Sequence, residues 1–402
     1  MVFRHCFIPA TILFFLPRSR EAPVFPLPAR DIFPAMQTAI STATGNMNTS
    51  IQNGTELPLV SVIIPIYNLE TSISACLDSL LSQTWSSLEI ILVNDGSTDR
   101  TPDILNTYAA RHSGMTVIHQ DNAGVDAARY AGMDRATGQY VMFLDGDDVV
   151  FPDCVEAMTR MAVRENADIV IGDYVRHLDR FGLFRRKDGA IPENRVVERQ
   201  EFLSSYYSGF FGMDRYGLFY TYGKMCTKLY GREFLLASRP APSGLRYAED
   251  QLFNLRVFPA AERIALLAKD VYVYKFGGVT GNLTLSLFDD MIRLHSLKMG
   301  MTDREDWKKS ELRAFLNNVR SFLATLAVSG RLTARDMPEA LQKLNESSIW
   351  SQALEAHPGV DDGFFSAMRR NDHAAAYREL DRNTFLKKIS YRLRRIILKL
   401  VR

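Results

Sequence analysis

Between Leu59 and Tyr174 the chain alternates two hydrophobic patterns. Met115–Gln120 and Ala167–Tyr174 read as strands, and apolar runs stand at Leu59–Asn68 (LVSVIIPIYN), Leu88–Val93 and Tyr140–Leu144. Runs of this length read as strands buried on both faces. Between them apolar residues recur every three or four positions, as Ile73, Leu77, Leu80 and Leu81 do within Glu70–Gln83. That spacing predicts helices there, from Thr98 or Asp99 towards Tyr108, over Gly124–Ala136, and from Pro152 towards Arg164. Strand and helix joined by short links predict an α/β fold, a largely parallel sheet with helices on both faces.

After Tyr174 the alternation stops. Arg176–Val197 reads as a loop, Glu201–Tyr207 and Lys224–Ala237 as helical patches, and Glu249 onwards as a further helix. ERIALLAKDVYVYKF reads as short strands. From Asp289 the pattern is helical and charged, a C-terminal helical appendage over 289–384. Residues 1–56 mix Pro, Ser, Thr, Asn and Gly without periodicity and read as a disordered leader.

The polar residues that interrupt the apolar runs carry the chemistry. The fourth strand ends in Asp145, Gly146, Asp147 and Asp148. Alternation along an extended chain puts Asp145 and Asp147 on one side and Asp148 on the other. Such carboxylates suit a hard divalent cation, Mn²⁺ or Mg²⁺, whose shell a substrate's phosphates complete. An acidic turn in which Asp148 or Asp153 caps the next helix is the plainer alternative. The first turn offers Pro65, Tyr67, Asn68 and Glu70, the second Asp95, Gly96 and Ser97. Open α/β sheets bind ligands at the carboxyl ends of their strands, so these turns line one crevice. There Asp95 can accept a hydrogen bond from a base N–H, and Tyr67 can stack on the ring. Arg129, on the helix after Asn122 and Gly124, can add positive charge near phosphates. Taken singly, Asp95 as a turn former, Tyr67 as a rim residue and Arg129 as a surface helix residue are the alternatives.

These blocks resemble family 2 glycosyltransferases of the GT-A fold, inverting enzymes that use nucleotide-diphosphate sugars. The resemblance rests on VSVIIPIYNLE, CLDSLLSQT, EIILVNDGSTDRT, NAGVDAARYAGMDRATGQYVMFLDGDD, YAEDQLF and YVYKF. It implies a GT-A domain over 57–288, with a nucleotide-sugar half at 57–175 and an acceptor half at 176–288. It also implies a base-binding role for Asp95 and a DXD motif at Asp145, Gly146 and Asp147. Asp250 is the implied catalytic base, and Glu249 beside it falls on the acceptor side. The sequence departs from the family at Asp126 and Tyr130, where serine and asparagine are usual, so altered contacts near the donor sugar are expected. No QxxRW motif occurs, which fits a non-processive enzyme.

Composition narrows the rest. A net charge of +2 gives no reason to expect nucleic acid as a partner. Four scattered cysteines suggest neither a disulfide framework nor a zinc site. No apolar run spans a bilayer; Cys6–Leu16 only resembles a weak secretory signal. The stretch 385–402 carries seven Lys and Arg and no acid, with apolar residues at helical spacing. A basic amphipathic helix of this kind binds anionic membranes, which predicts a cytoplasmic enzyme, peripheral on the inner face of the cell membrane. A terminal helix packed on the domain is the alternative. The expected reaction moves a sugar, from a UDP-sugar in first preference, to a carbohydrate or lipid-linked acceptor of surface polysaccharide, capsule or lipid-linked oligosaccharide synthesis. The rival functions are a sugar nucleotidyltransferase and a non-catalytic nucleotide-binding scaffold. PIYNLET lacks the glycine-rich basic loop of the first, and Asp145, Asp147 and Asp250 argue against the second.

Overall fold

A computed structural model describes residues 57–177, 185–187, 191–213, 223–275, 283–360 and 363–382. The expected leader at 1–56 and the basic helix at 385–402 lie outside the described residues. Two compact units emerge, one covering 57–275 and the other 283–382.

The first unit is built on a mixed sheet whose strands run, edge to edge, Met115–Gln120, Leu88–Asp95, Val60–Ile66, Tyr140–Phe143, Lys228–Gly231, Ile169–His177, Arg263–Tyr274 and Val149–Val150. Parallel pairing joins β1 (Val60–Ile66), β2 (Leu88–Asp95), β3 (Met115–Gln120) and β4 (Tyr140–Phe143), and recurs between Ile169–His177 and Arg263–Tyr274. The helices between are α1 (Ile73–Leu81), α2 (Thr101–Arg111) and α3 (Val125–Arg135). All seven residues of β1 are buried, as its unbroken apolar run requires. Pro65 is tolerated in this central strand because the β1–β4 ladder ends at Ile63 and Phe143, so no partner there needs its missing N–H. Helix α2 starts after Arg100, not with the expected cap at Thr98 or Asp99. Asp99 instead accepts the Thr101 and Glu70 N–H groups at 3.0 and 3.1 Å.

Beyond β4 the largely parallel order is interrupted rather than lost, since the two long strands that follow keep the direction of β4. Strand β9 (Lys228–Gly231) runs antiparallel between β4 and β6 (Ile169–His177). It falls within the expected helical patch Lys224–Ala237, of which only α5 (Arg232–Ser238) is helical. Four residues, three of them fully buried, are too few for a period to show. The expected short strands at ERIALLAKDVYVYKF form one strand, β10 (Arg263–Tyr274). Register shifts between Leu267 and Tyr272 break its alternation. Short strands β5 (Val149–Val150), β7 (Arg185–Lys187) and β8 (Arg195–Glu198) pair with β10, β6 and β10. Helix α4 (Cys154–Glu165) begins after Asp153, whose side chain makes no cap bond and meets Lys269 Nζ at 2.6 Å. Helix α6 (Glu249–Val257) begins at the acidic pair.

The second unit is helical: α7 (Phe288–Met299), α8 (Glu305–Ser329), α9 (Met337–Asn345), α10 (Ser348–Ala356) and α11 (Gly363–Arg369). Its core holds Phe288, Phe315, Trp350 and Phe364. It also buries a charged group, in which Glu311 meets His295 Nδ1 at 2.6 Å and Lys298 Nζ at 2.7 Å. No helix among the described residues is long and apolar enough to cross a membrane.

Candidate active site

The turns after β1 and β2 are laced together at the sheet's carboxyl edge. Asn68 takes a left-handed conformation (φ 52°), which asparagine tolerates. Its N–H donates to Ser97 Oγ at 3.0 Å, and its side-chain oxygen accepts the Thr98 N–H at 2.7 Å. Glu70 accepts the Arg100 N–H at 3.1 Å. Tyr67 stands clear of this lacing, 49% exposed beside the crevice.

Asp95, at the last position of β2, is buried and holds the third turn. Its carboxylate accepts Gln120 Nε2 and the Ala123 N–H at 2.8 Å each, and the Gly124 N–H at 2.9 Å. Asn122 Nδ2 donates to the Asp95 carbonyl at 2.9 Å. A carboxylate offers about four acceptor directions, so three engaged donors leave about one for a ligand. Gly96 (φ +71°) is needed beside it, because an added Cβ would lie 2.7 Å from the Asn122 nitrogen.

The acids after β4 divide by environment. Asp148 turns inward, accepting the Tyr272 hydroxyl and the Lys275 N–H, both at 2.6 Å. Burial, then the charges of Asp147 and Asp145, push its pKa well up. Asp145 and Asp147 stay partly exposed. Burial, with Asp145 adding, raises Asp147. Gly146 between them leaves room for Leu69, whose Cδ1 would sit 2.7 Å from a Cβ there. Among the described residues no three His, Cys, Asp or Glu side chains converge as a cation cage. Two carboxylates nonetheless fit a cation that shares its shell with phosphates, which needs only one or two from the protein.

Arg129 links these acids to the far end of the sequence. Its side chain, 6% exposed, donates from Nη2 to Asp145 at 3.2 Å and from Nη1 to Glu249 at 2.9 Å. Burial opposes its charge, but Glu249, Asp145 and Asp250 outweigh that and raise its pKa. The guanidinium expected among phosphates is thus engaged by two carboxylates. Burial raises Asp250, with Lys224 and Arg129 pulling it down and Asp145 adding to the rise. Burial also raises Glu249, against Arg129. Sequence reasoning missed Lys224, because it sat in a stretch read as helix. Its Nζ lies 4.6 Å from the Tyr274 ring centroid and 5.3 Å from that of Tyr174. Asp126 and Tyr130, expected near a donor sugar, bond instead to Ser243 and Pro240.

A mixed, largely parallel sheet with acids and polar turns gathered at its carboxyl edge defines a GT-A fold with helices appended. Solved S. aureus TarS (residues 1–349, in complex with UDP-GlcNAc) has the same fold, with a TM-score of 0.60 at 22% identity. The match covers 82% of this chain and 92% of that one. The family model "Glycosyl transferase family 2" matches residues 61–225. Putative glycosyltransferase EpsH of Bacillus subtilis is 32% identical over 268 residues, which cover 65% of this chain and 74% of EpsH. The chain therefore belongs to glycosyl transferase family 2. Uncharacterized glycosyltransferase EpsJ of the same organism is 38% identical over 221 residues, 54% of this chain and 61% of EpsJ.

Proposed function

We propose that the protein is an inverting, metal-dependent, non-processive glycosyltransferase, with a UDP-sugar as the favoured donor. The observation that carries this reading is the meeting of Asp145 and Glu249 on one guanidinium, although they lie more than a hundred residues apart. This contact supports a reading in which two acids for a diphosphate's cation and Asp250, next to Glu249, act across one crevice. In the reaction Asp250 takes the acceptor hydroxyl's proton, and the oxygen bonds to the anomeric carbon as the nucleotide diphosphate leaves. Mn²⁺ or Mg²⁺, held by Asp145 and Asp147, would neutralise charge on that diphosphate. Asp95 offers its remaining acceptor direction to the base, Tyr67 its exposed ring, and the turns at Pro65, Asn68, Glu70, Gly96, Ser97, Asn122 and Gly124 frame the nucleotide. Glu249, fixed by Arg129, orients the acceptor side. Residues 57–175 form the nucleotide-sugar half and 176–288 the acceptor half.

The acceptor would be a carbohydrate or lipid-linked chain of surface polysaccharide synthesis, reached at the cytoplasmic membrane face through 385–402. UDP is favoured because the structural relative TarS is solved with UDP-GlcNAc. The test is a hydrolysis screen over nucleotide sugars with Mn²⁺, followed by two variants. Asp250→Asn is expected to keep UDP binding and lose transfer, while Asp147→Asn loses metal-dependent binding as well. Full transfer by the Asp250 variant would refute the base assignment.

A further inference from the structure

We propose that Asp126 and Tyr130 are positioning residues for the Glu249–Asp250 pair, acting by latching the segment that leads into α6 onto α3. This rests on the glycosyl-transfer reading for its consequence and on geometry for its existence. The leading segment, 239–248, contains two prolines and two left-handed residues, Gly244 (φ 64°) and Ala248 (φ 56°). Alanine has no intrinsic reason to sit there and is strained in that conformation, so neighbouring contacts must impose it.

Those contacts come from one face of α3. Positions 126, 129 and 130 are spaced i, i+3 and i+4 and so lie side by side. Asp126 Oδ2 accepts both the Ser243 N–H at 2.9 Å and the Ser243 hydroxyl at 2.6 Å. The Tyr130 hydroxyl donates to the Pro240 carbonyl. Arg129 holds Glu249 itself at 2.9 Å. From α6, Arg256 Nη1 donates to the Ala241 carbonyl at 3.2 Å, closing the loop from its other side. Only about 10 Å³ of cavity is left among Asp126, Tyr130, Ser243, Glu249 and Phe253. Because Asp95 grips the turn that opens α3, the same helix ties the nucleotide side of the crevice to the acid pair.

Only one Asp126 oxygen carries the latch, so an amide can replace it and a methyl cannot. Asp126→Ala is expected to lower kcat for transfer by about 10- to 100-fold, the loss that a displacement of order 1 Å brings. UDP affinity with Mn²⁺, by calorimetry, should change less than about twofold, and Asp126→Asn should recover most of kcat. Tyr130→Phe should lower kcat in the same direction. Independently of activity, amide exchange across 240–250 should quicken in Asp126→Ala. Unchanged exchange there overturns the latch whatever the activity, as does wild-type kcat in Asp126→Ala. Loss of kcat and UDP affinity together, unrelieved by Asp126→Asn, assigns Asp126 a folding role and also overturns it. A wild-type protein inert towards every nucleotide sugar defeats the transferase reading, and the exchange result then judges the latch alone.

Discussion

Replacing Arg129 with methionine tests the bridge on which the site is assembled. The side chain is 6% exposed, and methionine keeps most of its apolar contact while removing two charge-assisted hydrogen bonds. Glu249, 14% exposed, would lose its partner, a loss of about 3–5 kcal/mol for a buried pair broken on one side. Asp145 is 34% exposed, so solvent takes up its charge and its share falls to about 0.2–1 kcal/mol. The expected total is about 3–5 kcal/mol, since a raised Glu249 pKa lets that acid neutralise itself and relieves part of the cost. For a unit of this size that lowers Tm by roughly 6–20 °C. Urea unfolding of the full chain, followed by a probe in the first unit, measures it. A cycle with Glu249→Gln isolates the pair: in that background Arg129→Met should cost about 2 kcal/mol less. An equal cost in both backgrounds, or a loss below about 1 kcal/mol in the first, would refute the reasoning.

Other expectations follow from single environments. Because burial raises Asp250, with Lys224 and Arg129 opposing, transfer should fall with decreasing pH through a value higher than an ordinary aspartate's, and a pH–kcat profile shows where. In the second unit, burial pulls Glu311 upward, but Lys298 and His295 outweigh it and set it below its ordinary value. Burial holds His295 low, with Asn318 Nδ2 at 3.0 Å on its other nitrogen. Both groups bind protons more readily unfolded, so stability is present above their unfolded pKa values and lost as pH falls, from about 6.5 for His295 and about 4.3 for Glu311. Urea midpoints at pH 7.5, 6 and 4.5 should drop in that order, and a flat series would contradict it. Gly96→Ala combines a left-handed φ with a backbone clash and should weaken UDP binding, read by calorimetry. Deleting 385–402 should release the protein from anionic vesicles, and unchanged pelleting would favour a packed terminal helix.

The local pattern of apolar and polar positions determined five of the sheet's strands and the helices between them. A fully covered strand can be made only of residues that lose nothing by leaving water, so burial is written locally. The same holds for the turn residues, since left-handed φ and exposed carboxylates restrict which side chains can stand at Asn68, Gly96 and Asp145. What local pattern could not carry was pairing over distance. Strand β9 is four residues long, its place between β4 and β6 fixed only by what flanks it. Arg129 reads from the sequence as a cation for phosphates, whereas α6 brings Glu249 to it, and Asp126 became a latch only when Ser243 arrived from over a hundred residues away. Charge and hydrogen-bond partners are relations between residues, and the folded chain, not its order, decides who meets whom.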